Sequence, residues 1–339
     1  MTLETPQSIP NHLLERNKSL WSVSEKIEWD TLDKETDYII SGSAFIDVDD
    51  VYGRKGNPFT VVIGPRIANF TDQEMTVIAR IAGTPETIFI HRCEPQDNSE
   101  TLTYNVELTV KTPTGKGLGA CAHGFTGAIQ TLLETDMISI PSTLLITTTL
   151  QKSARAFISE ERIISLEFKL SESQQILIDG GKINEIFGIE HVTGHVEQPV
   201  LSVGSPKLTI EITEAQFDHV QQNLGSLNYE ALLLLQNDLK INGIHLFCRN
   251  SETGLPAKVI QANAYLGREN VVDPATGVSC AAQIGSDEKV NEGETVKLTQ
   301  YTANGPSADL HVTKKADGLV DVGGTAVLFN FEEVGHDTK

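Results

Sequence analysis

The sequence predicts an α+β protein built as two lobes. Strand-like runs outnumber helical ones in both halves, and each half has one helix start made of small residues that must lie against a sheet. A chain of 339 residues also suits two cores of ordinary size better than one. In the second half, the run from Asn270 and Val271 through Val272, Asp273, Pro274, Ala275, Thr276 and Gly277 to Cys280 reads as strand, sharp turn and helix. Asp273 is the expected N-cap and Pro274 the expected first helical residue. Residues 119–129 have the same character, and setting His123 over Asp273 brings Thr126 onto Thr276 and Gly127 onto Gly277, the mark of a faint internal repeat. Such helix starts leave the N–H groups of Ala275, Thr276 and Gly277 unpaired at the positive end of the helix dipole, where a carboxylate can bind.

Taken in order, residues 1–36 form a polar extension anchored only by Leu13, Leu14, Leu20 and Trp21. Strands are expected at 38–40 and 44–48, then a loop at 53–58 and a strand at 60–63. Thr71 to Glu74 has the form of a capping box, and Met75, Ile78, Ala79 and Ala82 follow at helical spacing up to Gly83. The turn at Thr84 and Pro85 leads into a strand at 87–90, which leaves Glu86 at the strand mouth. Residues 103–110 alternate as a strand. The glycine-rich loop 112–119 lacks the residue order of a phosphate-binding loop and reads as a plain connection. Strand-like alternation fills 142–170, and a short helix is expected at 183–189. The second half offers a strand at 207–212, a mostly helical stretch at 215–235 and a strand at 243–248. Beyond the Asp273 helix come strands at 295–299, 309–312 and 319–322 and a closing segment at 323–330.

The balance of 26 basic against 46 acidic residues, a net charge of −20, argues against nucleic acid or an anionic membrane as partner. No apolar run approaches the roughly 18 residues that span a bilayer, and the first residues do not form a signal peptide, so a cytoplasmic protein is expected. Cys93, Cys121, Cys248 and Cys280 are widely spaced with no C-x-x-C pair, which fits reduced thiols.

The sequence resembles the phenazine-biosynthesis PhzF-like isomerases, which share the fold of diaminopimelate epimerase. The resemblance is carried by Gly56-Asn57-Pro58, by the helix Met75 to Ala82 followed by Pro85-Glu86-Thr87, by His123 with Gly127-Ala128, by Asp273-Pro274-Ala275-Thr276-Gly277, and by Gly323-Gly324-Thr325. It spans roughly residues 38–332. It implies two pseudo-symmetric lobes, each a curled sheet or barrel around a central helix. On that reading 37–165 is the first lobe, completed by a returning strand at 320–332. The second lobe is 195–319, joined through 166–194. The chain departs from the family pattern at Pro85, Gly124 and Val272, and Asn263 stands where an arginine is usual.

The resemblance further implies a cofactor-independent isomerase that moves a proton between carbons of a small carboxylate, with Glu86 as base and acid. His123 and Asp273 would lie beside the substrate, and Asn57, Gly124, Thr276 and Gly277 would bind it. The chemistry needs a base in a partly desolvated cleft and donors facing the charge that builds up. Each residue also has a plainer reading: Glu86 as a turn carboxylate, His123 as a core histidine, Asp273 as a helix cap, Cys121 and Cys280 as packing residues. Cys121 lies two residues before His123 and Cys280 seven after Asp273, which disfavours a two-thiol racemase. No zinc spacing is present. Open alternatives are a non-catalytic binding or scaffold protein of this fold, a racemase or epimerase, and a homodimer.

Overall fold

The computed structural model describes residues 37–46, 56–96, 102–160, 162–171, 173–189, 194–264, 272–324 and 326–333. The extension 1–36 with Leu13, Leu14, Leu20 and Trp21 lies outside them, as do Asp47, Val48, the loop residues 53–55, Asn270, Val271 and Thr325.

The first half runs β1 (Tyr38–Ala44), β2 (Asn57–Ile63), α1 (Asp72–Ala82), β3 (Glu86–Pro95), β4 (Thr103–Lys111), β5 (Gly117–Leu118), α2 (Ala122–Glu134), β6 (Ser142–Thr148), β7 (Ser153–Ile158) and β8 (Ile164–Lys169). The second runs β9 (Gln174–Asp179), α3 (Gly180–Phe187), β10 (His195–Leu201), β11 (Lys207–Glu211), α4 (Glu214–Gln222), α5 (Tyr229–Leu239), β12 (Ile244–Arg249), β13 (Pro256–Ala262), β14 (Val272–Asp273), α6 (Gly277–Ser286), β15 (Thr295–Thr302), β16 (Gly305–Lys314) and β17 (Leu319–Gly324). A last strand, β18 (Ala326–Glu333), follows.

Strand pairing repeats. In the first half β1–β2 is antiparallel, β2–β3 parallel, β3–β4 antiparallel, β4–β6 parallel, and β6–β7 and β7–β8 antiparallel. The second half gives the same series for β10, β11, β12, β13, β15, β16 and β17. The two halves join where β8 pairs with β17, while β18 returns to β1 and β9 closes on β10. This is the two-lobed α+β architecture that the sequence predicts.

Each half-sheet curls round its own small-residue helix. Helix α2 packs on β1, β2, β3, β8 and β18, and α6 on β10, β16 and β17. One apolar cluster contains both, with Phe59, Ile88, Phe125 and Leu132 on one side and Cys280, Ile284, Leu310 and Val320 on the other. A second cluster seats α3, α4 and α5 on β11 and β12 through Ile183, Phe217, Leu235, Ile210 and Leu246. Burying each of these large side chains contributes roughly 1.5–3 kcal/mol. Helix α1 forms as its capping box predicts: Thr71 Oγ1 accepts from the Glu74 N–H at 3.2 Å, and Glu74 Oε2 accepts from the Thr71 N–H at 2.7 Å. It stops at Gly83, whose φ of 69° suits a residue without a Cβ.

Several expectations are corrected. Helix α6 begins at Gly277 with Thr276 as N-cap, and Asp273 belongs to β14 rather than capping the helix. The internal repeat is present in the topology but in another register: the equivalent caps are Cys121 and Thr276, so Ala122 matches Gly277. The helical stretch 215–235 is divided into α4 and α5 around a single 3-10 turn, because Asn228 starts a new helix by accepting from the Ala231 N–H at 3.1 Å. Strands β9, β10 and β13 are additional to those read from the sequence.

Candidate active site

The site forms where the first residues of β2, β3 and α2 meet β14. Glu86 opens β3, which runs parallel to β2 with Phe59 opposite Glu86, so its carboxylate stands at the strand mouth. His123 is held in the first turn of α2. Its Nε2 lies 2.6 Å from Glu86 Oε2, and the two side chains are 9% and 16% exposed. Asn57, at the start of β2, ties the other side together: its Nδ2 donates to Asp273 Oδ1 at 2.8 Å and to the Ala275 carbonyl at 2.9 Å, and stands 3.1 Å from His123 Nδ1. Glu86, His123 and Asp273 therefore converge, with Asn57 as the link.

Two acceptors orient the Asn57 amide with its nitrogen towards His123 Nδ1, an arrangement that in a neutral ring would place the proton on Nε2. Burial works against a charged His123, yet Cys121 and Glu86 outweigh it and hold the ring well above the usual imidazole value. Burial raises Asp273 above the ordinary aspartate range, against the pull of His123. The Cys121 Sγ lies 3.7 Å from both ring nitrogens of His123, and burial pushes its thiol up against the pull of His123. An equal distance to both nitrogens puts the sulfur off either lone-pair axis. The sequence reading of Cys121 as a packing residue misses this proximity.

Ligand atoms of Glu86, Cys121 and His123 all lie within 4.8 Å of one another, the one such cluster among the described residues. Bond lengths of about 2.0–2.3 Å would spread ligand atoms to well over 3 Å round a metal ion. The 2.6 Å Glu86–His123 separation is too short for two ligands of one ion, so the pair as it stands is a close ion pair.

Of the expected anion donors, several are already engaged. The Ala275 N–H donates to Asp273 Oδ1 at 3.2 Å and the Thr276 N–H to Gln300 Oε1 at 2.8 Å, while the Gly124 N–H faces the Cys121 sulfur. Gly277 acts sterically, since a Cβ there would lie 2.8 Å from the Ala122 Cβ, so α2 and α6 approach each other through this glycine. Asn57 Oδ1 is buried and has no hydrogen-bond partner among the described residues. Asn263 is buried on the second-half side, and its neighbour Gln261 lies beside His245. A surface recess of about 480 Å³ lined by Glu211, Thr213, Glu214, Gln216 and Arg249 includes none of the partners of Glu86, His123 or Asp273.

One residue that sequence reasoning passes over belongs to this junction. Lys207, the first residue of β11, is buried, and its charge acts on both Asp273 and Glu86. Burial lowers its pKa to about 8. A strand-opening lysine carries no sequence signal of burial; its clue is that Asn57 opens the equivalent strand.

Two curled half-sheets round two abutting helices, with an acid/base pair at their meeting point, define a protein of the diaminopimelate-epimerase-like fold. Among solved structures it is similar to PhzF-family phenazine biosynthesis proteins. The one from Enterococcus faecalis is 20% identical with a TM-score of 0.65, over 89% of this chain and 100% of that one. A predicted epimerase from Pseudomonas aeruginosa is also 20% identical, with a TM-score of 0.62 over the same shares. A hydroxyproline epimerase from Agrobacterium vitis, solved with bound trans-4-hydroxy-L-proline, is 12% identical with a TM-score of 0.56, over 90% of this chain and 94% of that one. No family model matches the sequence, and no curated protein does. No described helix is long and apolar enough to cross a membrane.

Proposed function

We propose that the protein is an isomerase that moves a proton between carbons of a small carboxylic acid by general acid/base catalysis. Glu86 takes the proton from one carbon and returns it to another. His123, its Nε2 2.6 Å from Glu86 Oε2, orients the carboxylate and stabilises its charged form, and Asp273 is positioned through Asn57. The observation that carries this reading is the 2.6 Å Glu86–His123 contact at a half-buried junction between the two half-sheets. Partial desolvation strengthens a base and the fields acting on developing charge. No step in this reading calls on a cofactor.

The pseudo-symmetry bears on the stereochemical alternative. Asn57 and Lys207 open equivalent strands, and two residues further on Phe59 pairs with Glu86 and Thr209 with His245. His245 has an amide oxygen beside each ring nitrogen, from Gln261 and Gln283, which favours one proton-carrying carboxylate over a mirrored pair of bases, hence a proton shift over racemisation.

The test is solvent exchange. Small 2-amino, 2-hydroxy and β,γ-unsaturated acids are incubated with the protein in deuterium oxide and followed by mass spectrometry. At least one acid should gain deuterium, and Glu86→Gln should slow that uptake by about 10²–10⁴-fold, with circular dichroism unchanged. Uptake at the wild-type rate in the variant would sink the role of Glu86.

A further inference from the structure

Lys207 stands to the second half as Asn57 stands to the first. Asn57 is the first residue of β2 and pairs with Ala44, the last of β1; Lys207 is the first residue of β11 and pairs with Leu201, the last of β10. Just before it, Gly204 brings the chain so near the start of α2 that an added Cβ would lie 3.5 Å from the Ala120 Cβ. The lysine is 4% exposed. Its Nζ donates to Ser205 Oγ at 2.9 Å and to the Asn242 carbonyl at 2.9 Å. An ammonium carries three N–H groups, so among the described residues one is left over.

Two features make this arrangement unusual for a structural lysine. Among the described residues no carboxylate forms an ion pair with Nζ, although burying an ammonium with neutral acceptors alone is costly. And the expected anion donors Ala275, Thr276 and Gly124 are already directed at groups of the protein, which leaves the junction with a buried cation and few free backbone donors.

We propose that Lys207 is the anion anchor of the junction, its remaining N–H and its charge holding the carboxylate of a small monocarboxylic acid. The acid is singly charged, because a second carboxylate would meet Glu86 and Asp273. That the carbon next to the bound carboxylate faces Glu86 rests on the isomerase reading; the anion site itself does not.

The experiment is calorimetric titration of the full chain with acetate and benzoate, with acetamide and benzamide as uncharged counterparts and malonate as the dianion. At least one monocarboxylate should bind more tightly than its amide and than malonate. Lys207→Met should weaken it about tenfold or more and Lys207→Arg by less, as loss and retention of a charge-assisted hydrogen bond require. Unchanged affinity in Lys207→Met, equal binding of acid and amide, or no monocarboxylate bound by the wild type overturns the proposal. Should Lys207→Met fail to fold, acetylation of Lys207 by acetic anhydride in the wild type, mapped by mass spectrometry, replaces it. Bound monocarboxylate should slow that acetylation and the amide should not; equal rates overturn the proposal. Lys207-dependent binding without deuterium uptake from any acid would refute the isomerase reading alone, and uptake that persists in Lys207→Met with binding unchanged would refute the anchor alone.

Discussion

At the scale of single residues, Asn57 does more than a substrate-binding role would ask. Its one amide nitrogen serves Asp273, Ala275 and His123, which come from opposite halves of the chain. Asn57→Ala should therefore cost about 1–3 kcal/mol in urea unfolding, since it leaves buried acceptors unpaired, and should also slow deuterium uptake. A variant of full stability and full rate would show that the link is dispensable. Glu86, His123, Asp273 and Asn57 can be picked out in the sequence because each sits in a short motif with a fixed place beside a strand or helix start. Lys207 cannot. Its meaning depends on knowing that β2 and β11 correspond, which the strand pairing shows by setting Asn57 opposite Ala44 and Lys207 opposite Leu201.

Among the elements, the decisive contact is between the first turns of α2 and α6. Gly277→Val would drive a Cβ towards the Ala122 Cβ at 2.8 Å and the Phe45 ring at 3.2 Å. Overpacking of this kind typically costs about 1–3 kcal/mol, and the urea midpoint should fall accordingly; an unchanged midpoint would mean that the helices can part freely. The start of α6 is also where local sequence rules give the wrong answer. Asp273 and Pro274 satisfy every such rule for a cap and first turn, but Asp273 is drawn into β14 by pairing with Gln261 and by the Asn57 amide, so the helix starts later. Helix α1, by contrast, is legible in the sequence because its capping box lies within four residues. Strands β9, β10 and β13 are not, since their partners lie elsewhere in the chain and their exposed and buried positions do not alternate cleanly.

Over the whole molecule, buried polar groups set the response to acid. His245 is fully buried between Gln261 and Gln283, and burial lowers its pKa to about 4. In the unfolded chain a histidine titrates near ~6.5. Above that pH both states are neutral and the group has no effect. As pH falls through it, the unfolded chain alone takes up the proton, and stability drops progressively by about 3 kcal/mol on approaching pH 4. Carboxyls raised by burial, such as Asp273, act in the opposite sense, so the comparison must be with His245→Gln. Unfolding free energies measured from pH 7 to 4.5 should fall less steeply in that variant, and parallel curves would show that His245 is not held neutral.

The antiparallel match of Tyr38 with Glu333 and Ala44 with Ala326 couples the earliest described strand to the latest. During synthesis on the ribosome, β1 can pair with β2 at once, but its other edge has no neighbour until almost the entire described chain has emerged. Until then that edge is open to pairing with another nascent chain, the usual route by which unprotected strands aggregate. Production of this protein should accordingly be sensitive to stalling or premature termination between residues 277 and 326, even though such truncations leave every residue of the Glu86–His123–Asp273 junction in place.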